Sequence, residues 1–91
     1  MGNKQTTAGR NWLQETETAV MSFTLQNTGA GVLFFAPCVD GVTPLAGTSM
    51  FRLEPGAALY GVFADIFFGF GAADRLTFRS TAGTTFSLSW S

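Results

Sequence analysis

The 91 residues offer few groups that could do chemistry: no histidine, one cysteine, six acidic and five basic residues. General acid–base catalysis draws on histidine or on paired carboxylates in a cleft. Glu15 and Glu17 stand two apart, so on a strand they share one face; they read as a solvated edge. Asp65 lies among phenylalanines, where burial would raise its pKa, although an Asp in that setting more often caps a turn or meets an arginine. Asp74 precedes an alternating run as an ordinary strand-boundary residue. Cys38 has no histidine and no neighbouring base to make it a thiolate, so it reads as a buried spectator thiol. A single cysteine also permits no intrachain disulfide. Asp40, Asp65 and Asp74 do not form a calcium-type loop. Gly69-x-Gly71 is not followed by a helical pattern, which a phosphate loop requires. The expectation is no catalytic residue, no metal and no cofactor: not an enzyme.

The other candidates are contact residues. Arg75 and Arg79 flank Thr77 on one face of an alternating run, making a small positive strip, and Arg52 lies two residues from Glu54. These three arginines are assigned to contacts between subunits. Five basic residues against six acidic ones give a net charge of −1, which supplies no electrostatic footprint for nucleic acid. Trp12, Phe67, Phe68 and Phe70 are candidate aromatic anchors, because buried aromatics carry much of the energy of protein interfaces. Lys4 and Arg10 are candidate contacts in the N-terminal segment. An alternative set, Trp12, Tyr60 or Trp90 with Asp40, would suit a glycan stacked on an aromatic ring.

Composition favours covered surface. Hydrophobic residues make up 46% and charged residues 12%, about half of the ~25% usual for soluble domains. A lone soluble domain needs charge at its surface, so other subunits are expected to cover part of this one. The length fits one domain with a limited core. No run reaches the ~18 apolar residues of a membrane span, and residues 1–12 lack the apolar stretch of a signal peptide. Neither a membrane nor a nucleic-acid partner is expected.

The elements that position these residues are strands. The centre is the turn Glu54-Pro55-Gly56-Ala57 between apolar stretches. Proline pre-sets φ and glycine accepts φ > 0, which suits a type II turn in a hairpin or β-arch. Residues 1–11 are polar and read as an extended arm, lying on a neighbour or folded back as a strand; residues 12–91 form the single β domain. In Thr18–Gln26, Ala19, Met21, Phe23 and Leu25 share one face. Asn27 to Gly31 is turn chemistry, Val32–Ala36 reads as a strand buried on both faces, and Pro37 is expected to end it. Cys38 to Ser49 reads as a loop. Gly61 to Gly71 reads as a strand ending near Phe63 and then an aromatic loop; its spacing permits one helical turn, which Gly69 and Gly71 oppose. Asp74–Trp90 reads as an antiparallel hairpin turning at Thr81–Thr84. The sum is an all-β chain: a small antiparallel β-sandwich or barrel of about six to seven short strands.

Three features taken together, Leu25-Gln26-Asn27-Thr28-Gly29, Leu53-Glu54-Pro55-Gly56 and the alternating close to Trp90, resemble the small β-sandwich virion proteins of tailed bacteriophages, such as capsid decoration (cement) and head- or tail-associated accessory proteins. The resemblance covers about residues 18–91; the Phe-rich piece at Val62–Phe70 departs from it. It implies a structural role without catalytic residues, frequently as a homotrimer on the lattice of the major capsid protein, in a virion assembled in the host cytoplasm. A tail, neck or fibre-base subunit is the alternative, and a glycan-binding module the second.

Overall fold

The computed structural model describes residues 2–42, 51–69 and 71–91. Eight strands and one helical turn follow in chain order: β1 (Gly2–Ala8), β2 (Leu13–Gln14), β3 (Ser22–Asn27), β4 (Leu33–Cys38), β5 (Phe51–Leu53), β6 (Ala58–Val62), α1 (Phe63–Ile66), β7 (Arg75–Arg79) and β8 (Thr84–Trp90). They form two four-stranded antiparallel sheets, the first in the order β1-β8-β3-β6 and the second β2-β7-β4-β5. The fold is the all-β sandwich that the alternating patterns predict.

Its connectivity is less local than the sequence suggests. Leu76 and Phe78 alternate with polar residues, as do Phe86, Leu88 and Trp90, but β7 and β8 are not a hairpin. They lie in opposite sheets, and each pairs with strands remote in sequence. Alternation specifies only that each strand has one buried face; here the two faces meet across the core, where the Phe78 and Phe86 rings stack at 4.6 Å. The central turn is likewise an arch, carrying the chain from β5 in one sheet to β6 in the other. Ala57 N–H donates to Glu54 O at 3.0 Å, and Gly56 has φ of 80°, as a type II turn requires.

The segment over residues 2–8 takes the folded-back alternative. It pairs along its length with β8, from Gly2 opposite Trp90 to Ala8 opposite Thr84, and so forms the edge of the domain's own sheet. The first hydrophobic stretch is also shorter than its alternation implies: Val20 is buried and Met21 is 75% exposed. Residues 15–21 cross from the second sheet to the first, with Val20 N–H donating to Asp74 O, so the period of two begins only at Ser22.

Pro37 does not end β4, which runs on to Cys38. The opposing residue, Leu76, turns its amide to Thr16 Oγ1 and its carbonyl to the Glu15 amide. Pro37 therefore faces a position that needs no donor from it, and the ladder is unharmed.

The aromatic piece at 63–67 is a helical turn rather than a loop. Phe67 N–H donates to Phe63 O, and both side chains enter the core. The Phe67 ring lies 4.7 Å from Phe63, 5.0 Å from Phe51, 6.0 Å from Phe23 and 6.1 Å from Phe35. A spacing of four puts both rings on one side of a helical turn, and burying them outweighs the poor propensity of the sequence. Gly69, at φ of 85°, follows the turn rather than preventing it. Pro44, Gly47, Met50 and Phe70 lie outside the described residues.

One buried polar side chain organises the joints between sheets. Asn27, fully buried at the end of β3, donates from Nδ2 to Gly31 O at 2.7 Å and Leu53 O at 3.0 Å. Its Oδ1 accepts from Thr84 Oγ1 at 2.8 Å and from Gly29 N–H at 3.2 Å. All four capacities of the amide are used, and they join the turn after β3, the end of β5 and the start of β8.

Candidate functional site: the outer face of the second sheet

Register brings four outward positions into one row across the second sheet. Phe34 in β4 lies opposite Arg79 in β7 on one side and Arg52 in β5 on the other. The β2–β7 register pairs Leu13 with Phe78, which places Trp12, one residue earlier, level with Arg79. The row reads Trp12, Arg79, Phe34, Arg52. Three of these four are contact candidates from sequence; Phe34 lay hidden in a wholly apolar run, where alternation gives no signal.

Arg79 is the centre of the row. Its guanidinium carbon stands 5.8 Å from the Trp12 ring and 6.0 Å from the Phe34 ring. Two aromatic faces hold the cation, each such contact worth about 0.5–1 kcal/mol at exposed sites. No carboxylate among the described residues pairs with Arg79, and its buried Nε makes no hydrogen bond.

The other cations differ. Arg75 Nη1 bonds Asp74 Oδ1 at 2.7 Å, and its Nε lies 4.0 Å from Asp40 Oδ1, so its charge is largely matched within the chain. Arg52 pairs with Glu54 at 2.8 Å while both remain exposed, an ion pair worth at most about 1 kcal/mol. Lys4 is not a free arm residue. It pairs with Glu15 at 3.5 Å and more closely with Glu17. Arg10 is exposed and, among the described residues, unpaired.

The acidic residues at Lys4 take different environments. Glu15 is buried, and desolvation raises its pKa above the ordinary 4.5 against the pull of Lys4. Glu17 is exposed, and the hydrogen bond from Lys4 lowers its pKa. For Lys4, desolvation opposes the charge but the two carboxylates prevail and the pKa is raised. This cluster is a clasp between β1 and the strand crossing; Glu17 stands in solvent as a solvated edge would have it, and Glu15 does not.

Beside the arginine row the sheet is roofed by the chain itself. Gln14 Nε2 donates to Asp40 Oδ1 at 2.8 Å, and Gly41 N–H donates to Gln14 Oε1 at 2.7 Å. Thr77, Ala36 and Cys38 are buried on this outer side. Burial pushes the Cys38 thiol up to about 11, so it is protonated and a poor nucleophile at neutral pH.

The aromatic candidates separate. Phe67 is core, 3% exposed, and is corrected as an anchor: its ring is spent on the interior cluster. Phe68 is 88% exposed. Phe70 lies outside the described residues. Among the glycan candidates, Trp90 is buried and donates from Nε1 to Thr18 Oγ1, and Trp12 is engaged with Arg79; Tyr60 is 72% exposed. Among the described residues no group of three or more His, Cys, Asp or Glu could hold a metal ion.

No family model matches this chain, and neither the curated proteins nor the solved structures give a match.

Proposed function

We propose that this chain is a non-enzymatic structural protein of a virion, a capsid decoration subunit that seats the outer face of its second sheet on the major capsid protein lattice. The observation that carries the reading is Arg79, held between Trp12 and Phe34 with no carboxylate of its own. Such a cation is pre-oriented, and its aromatic flanks keep water from its faces. A carboxylate on the partner would complete it with a charge-assisted bidentate pair. Arginine beside tryptophan is also the composition of an interface hot spot. The virion assignment rests on the resemblance of the turn motifs to phage decoration proteins.

The charge-poor surface, with Met21 and Phe68 largely in solvent, favours further contacts between copies, and a homotrimer is the proposed unit. Light scattering on a sizing column at low micromolar concentration tests this: a threefold mass is expected, and a stable monomer would remove the trimer. Arg79→Met keeps the stem and removes the cation, so the fold should survive. Occupancy on purified capsids is expected to fall about tenfold or more; unchanged occupancy would overturn the docking face. Copy counting by quantitative mass spectrometry separates locations: hundreds per particle fit the shell, and roughly six or twelve, the value of a closed ring, would move the chain to tail or neck.

A further inference from the structure

We propose that the outer face of the first sheet, opposite the arginine row, carries a binding site for a neutral saccharide, with Tyr60 as its stacking wall. It goes beyond the capsid reading and does not depend on it.

The site is a second cross-strand row. Asn3 in β1 lies opposite Ser89 in β8, Ser89 opposite Thr24 in β3, and Thr24 opposite Tyr60 in β6. Neighbouring strands stand ~4.8 Å apart, so the row presents an amide, two hydroxyls and a phenol at regular steps. Next to it Ser22 and Ser91 share a hydrogen bond at 3.1 Å. These six residues line an open cavity of about 290 Å³, at the lower end of the ~300–1,000 Å³ typical of small-ligand pockets.

Three features choose the ligand chemistry. First, Tyr60 is 72% exposed, whereas Phe23, Phe86 and Trp90 in the same sheet are buried. An exposed aromatic ring in line with a row of hydroxyls offers a surface for the C–H face of a pyranose. Second, the side chains of Asn3, Thr24, Ser89 and Tyr60 make no hydrogen bond to any described residue. They are free to both donate and accept, as a polyol with alternating donors and acceptors demands. Third, among the described residues no charged side chain lines the cavity. Lys4, between Asn3 and Gln5, projects to the opposite side of β1, towards Glu15 and Glu17. A nucleotide would stack on Tyr60 equally well but would find no cation for its phosphate, and an acidic sugar would lack the same partner. Neutral hexoses and N-acetylhexosamines meet all three conditions.

The experiment is an array of neutral and acidic oligosaccharides probed with the whole chain, followed by calorimetric titration of the strongest neutral binder. Specific binding of neutral glycans is expected. Tyr60→Ala should weaken it about tenfold or more, Tyr60→Phe should retain most of it because the ring remains, and Arg79→Met on the other sheet should leave it unchanged. Circular dichroism and the unfolding midpoint of each variant establish that the fold is kept. An empty array, binding restricted to acidic glycans, or affinity indifferent to Tyr60→Ala would overturn the site. So would a Tyr60→Ala variant whose only change is loss of self-association, which would make this face a contact between copies. Loss of capsid occupancy in Arg79→Met with glycan binding intact separates this proposal from the docking face.

Discussion

Polar side chains at interior positions make opposite contributions according to whether they are satisfied. Asn27 is fully paired, and Asn27→Ala would leave Gly31 O, Leu53 O and the Thr84 hydroxyl without partners. Each unsatisfied buried group costs about 1–3 kcal/mol, so urea unfolding should show a loss on the order of 3 kcal/mol or more. Thr77 is the reverse: it is fully buried, and its Oγ1 has no partner among the described residues. Thr77→Val keeps the shape and removes the hydroxyl, and should raise stability by about 1 kcal/mol. Glu15 gives a pH signature. Its folded pKa lies above 4.5 because burial penalises the charge. Its stabilising contribution is therefore full below pH 4.5 and is lost as pH rises through the folded value. In Glu15→Gln that decline is absent, so the stability of the variant relative to the parent should climb with pH just above 4.5. A difference that stays constant across that window would contradict the assignment.

The helical turn α1 shows how an element is made by its surroundings. Four residues cannot sustain a helix alone, and no side chain caps it. It exists because Phe63 and Phe67 fill the space between the sheets, and because Gly61 leaves room for the Ile66 side chain against β6. Phe67→Ala should cost about 3–5 kcal/mol, read by thermal or denaturant unfolding, and should release the turn. Phe68→Ala, one residue on and in solvent, should cost almost nothing. Strand β1 illustrates the same dependence from the other side: polar along its length, it is ordered by its ladder with β8 and by the Lys4 clasp.

Across the whole molecule, the connectivity sets the folding kinetics. Among the described strands only β4 and β5 are neighbours in both chain order and sheet; every other pairing joins strands separated by at least one element. Non-local pairing must meet its loop-closure entropy before contacts form. Refolding from urea should therefore take milliseconds to seconds, checked by stopped-flow tryptophan fluorescence, with Trp90 reporting closure of the first sheet. The sandwich also keeps its two outer faces apart: one carries aromatic rings and arginine, the other hydroxyls, amides and one tyrosine, each joined by register across four strands.

Residue by residue, the sequence carried the fold class. The alternation of Phe23 and Leu25, of Leu76 and Phe78, and of Phe86, Leu88 and Trp90 identifies the buried faces, because a pleated strand has a period of two whatever it pairs with. Pro55-Gly56 identified the turn for the same local reason: backbone conformations open to two residue types. Partnership was not legible. Alternation does not say which sheet a strand joins, so the closing pair read as a hairpin and is in fact split between sheets. In Val32–Ala36, apolar on both sides, no pattern distinguished Phe34 from Phe35, although one faces Arg79 and the other the core. Lys4, Glu15 and Glu17 meet only because β1 folds back, and Asn3, Ser89, Thr24 and Tyr60 form a row only through three registers. Those are products of long-range pairing, in which hydrogen bonds and shared burial act between residues far apart in the chain, and they decided both candidate sites.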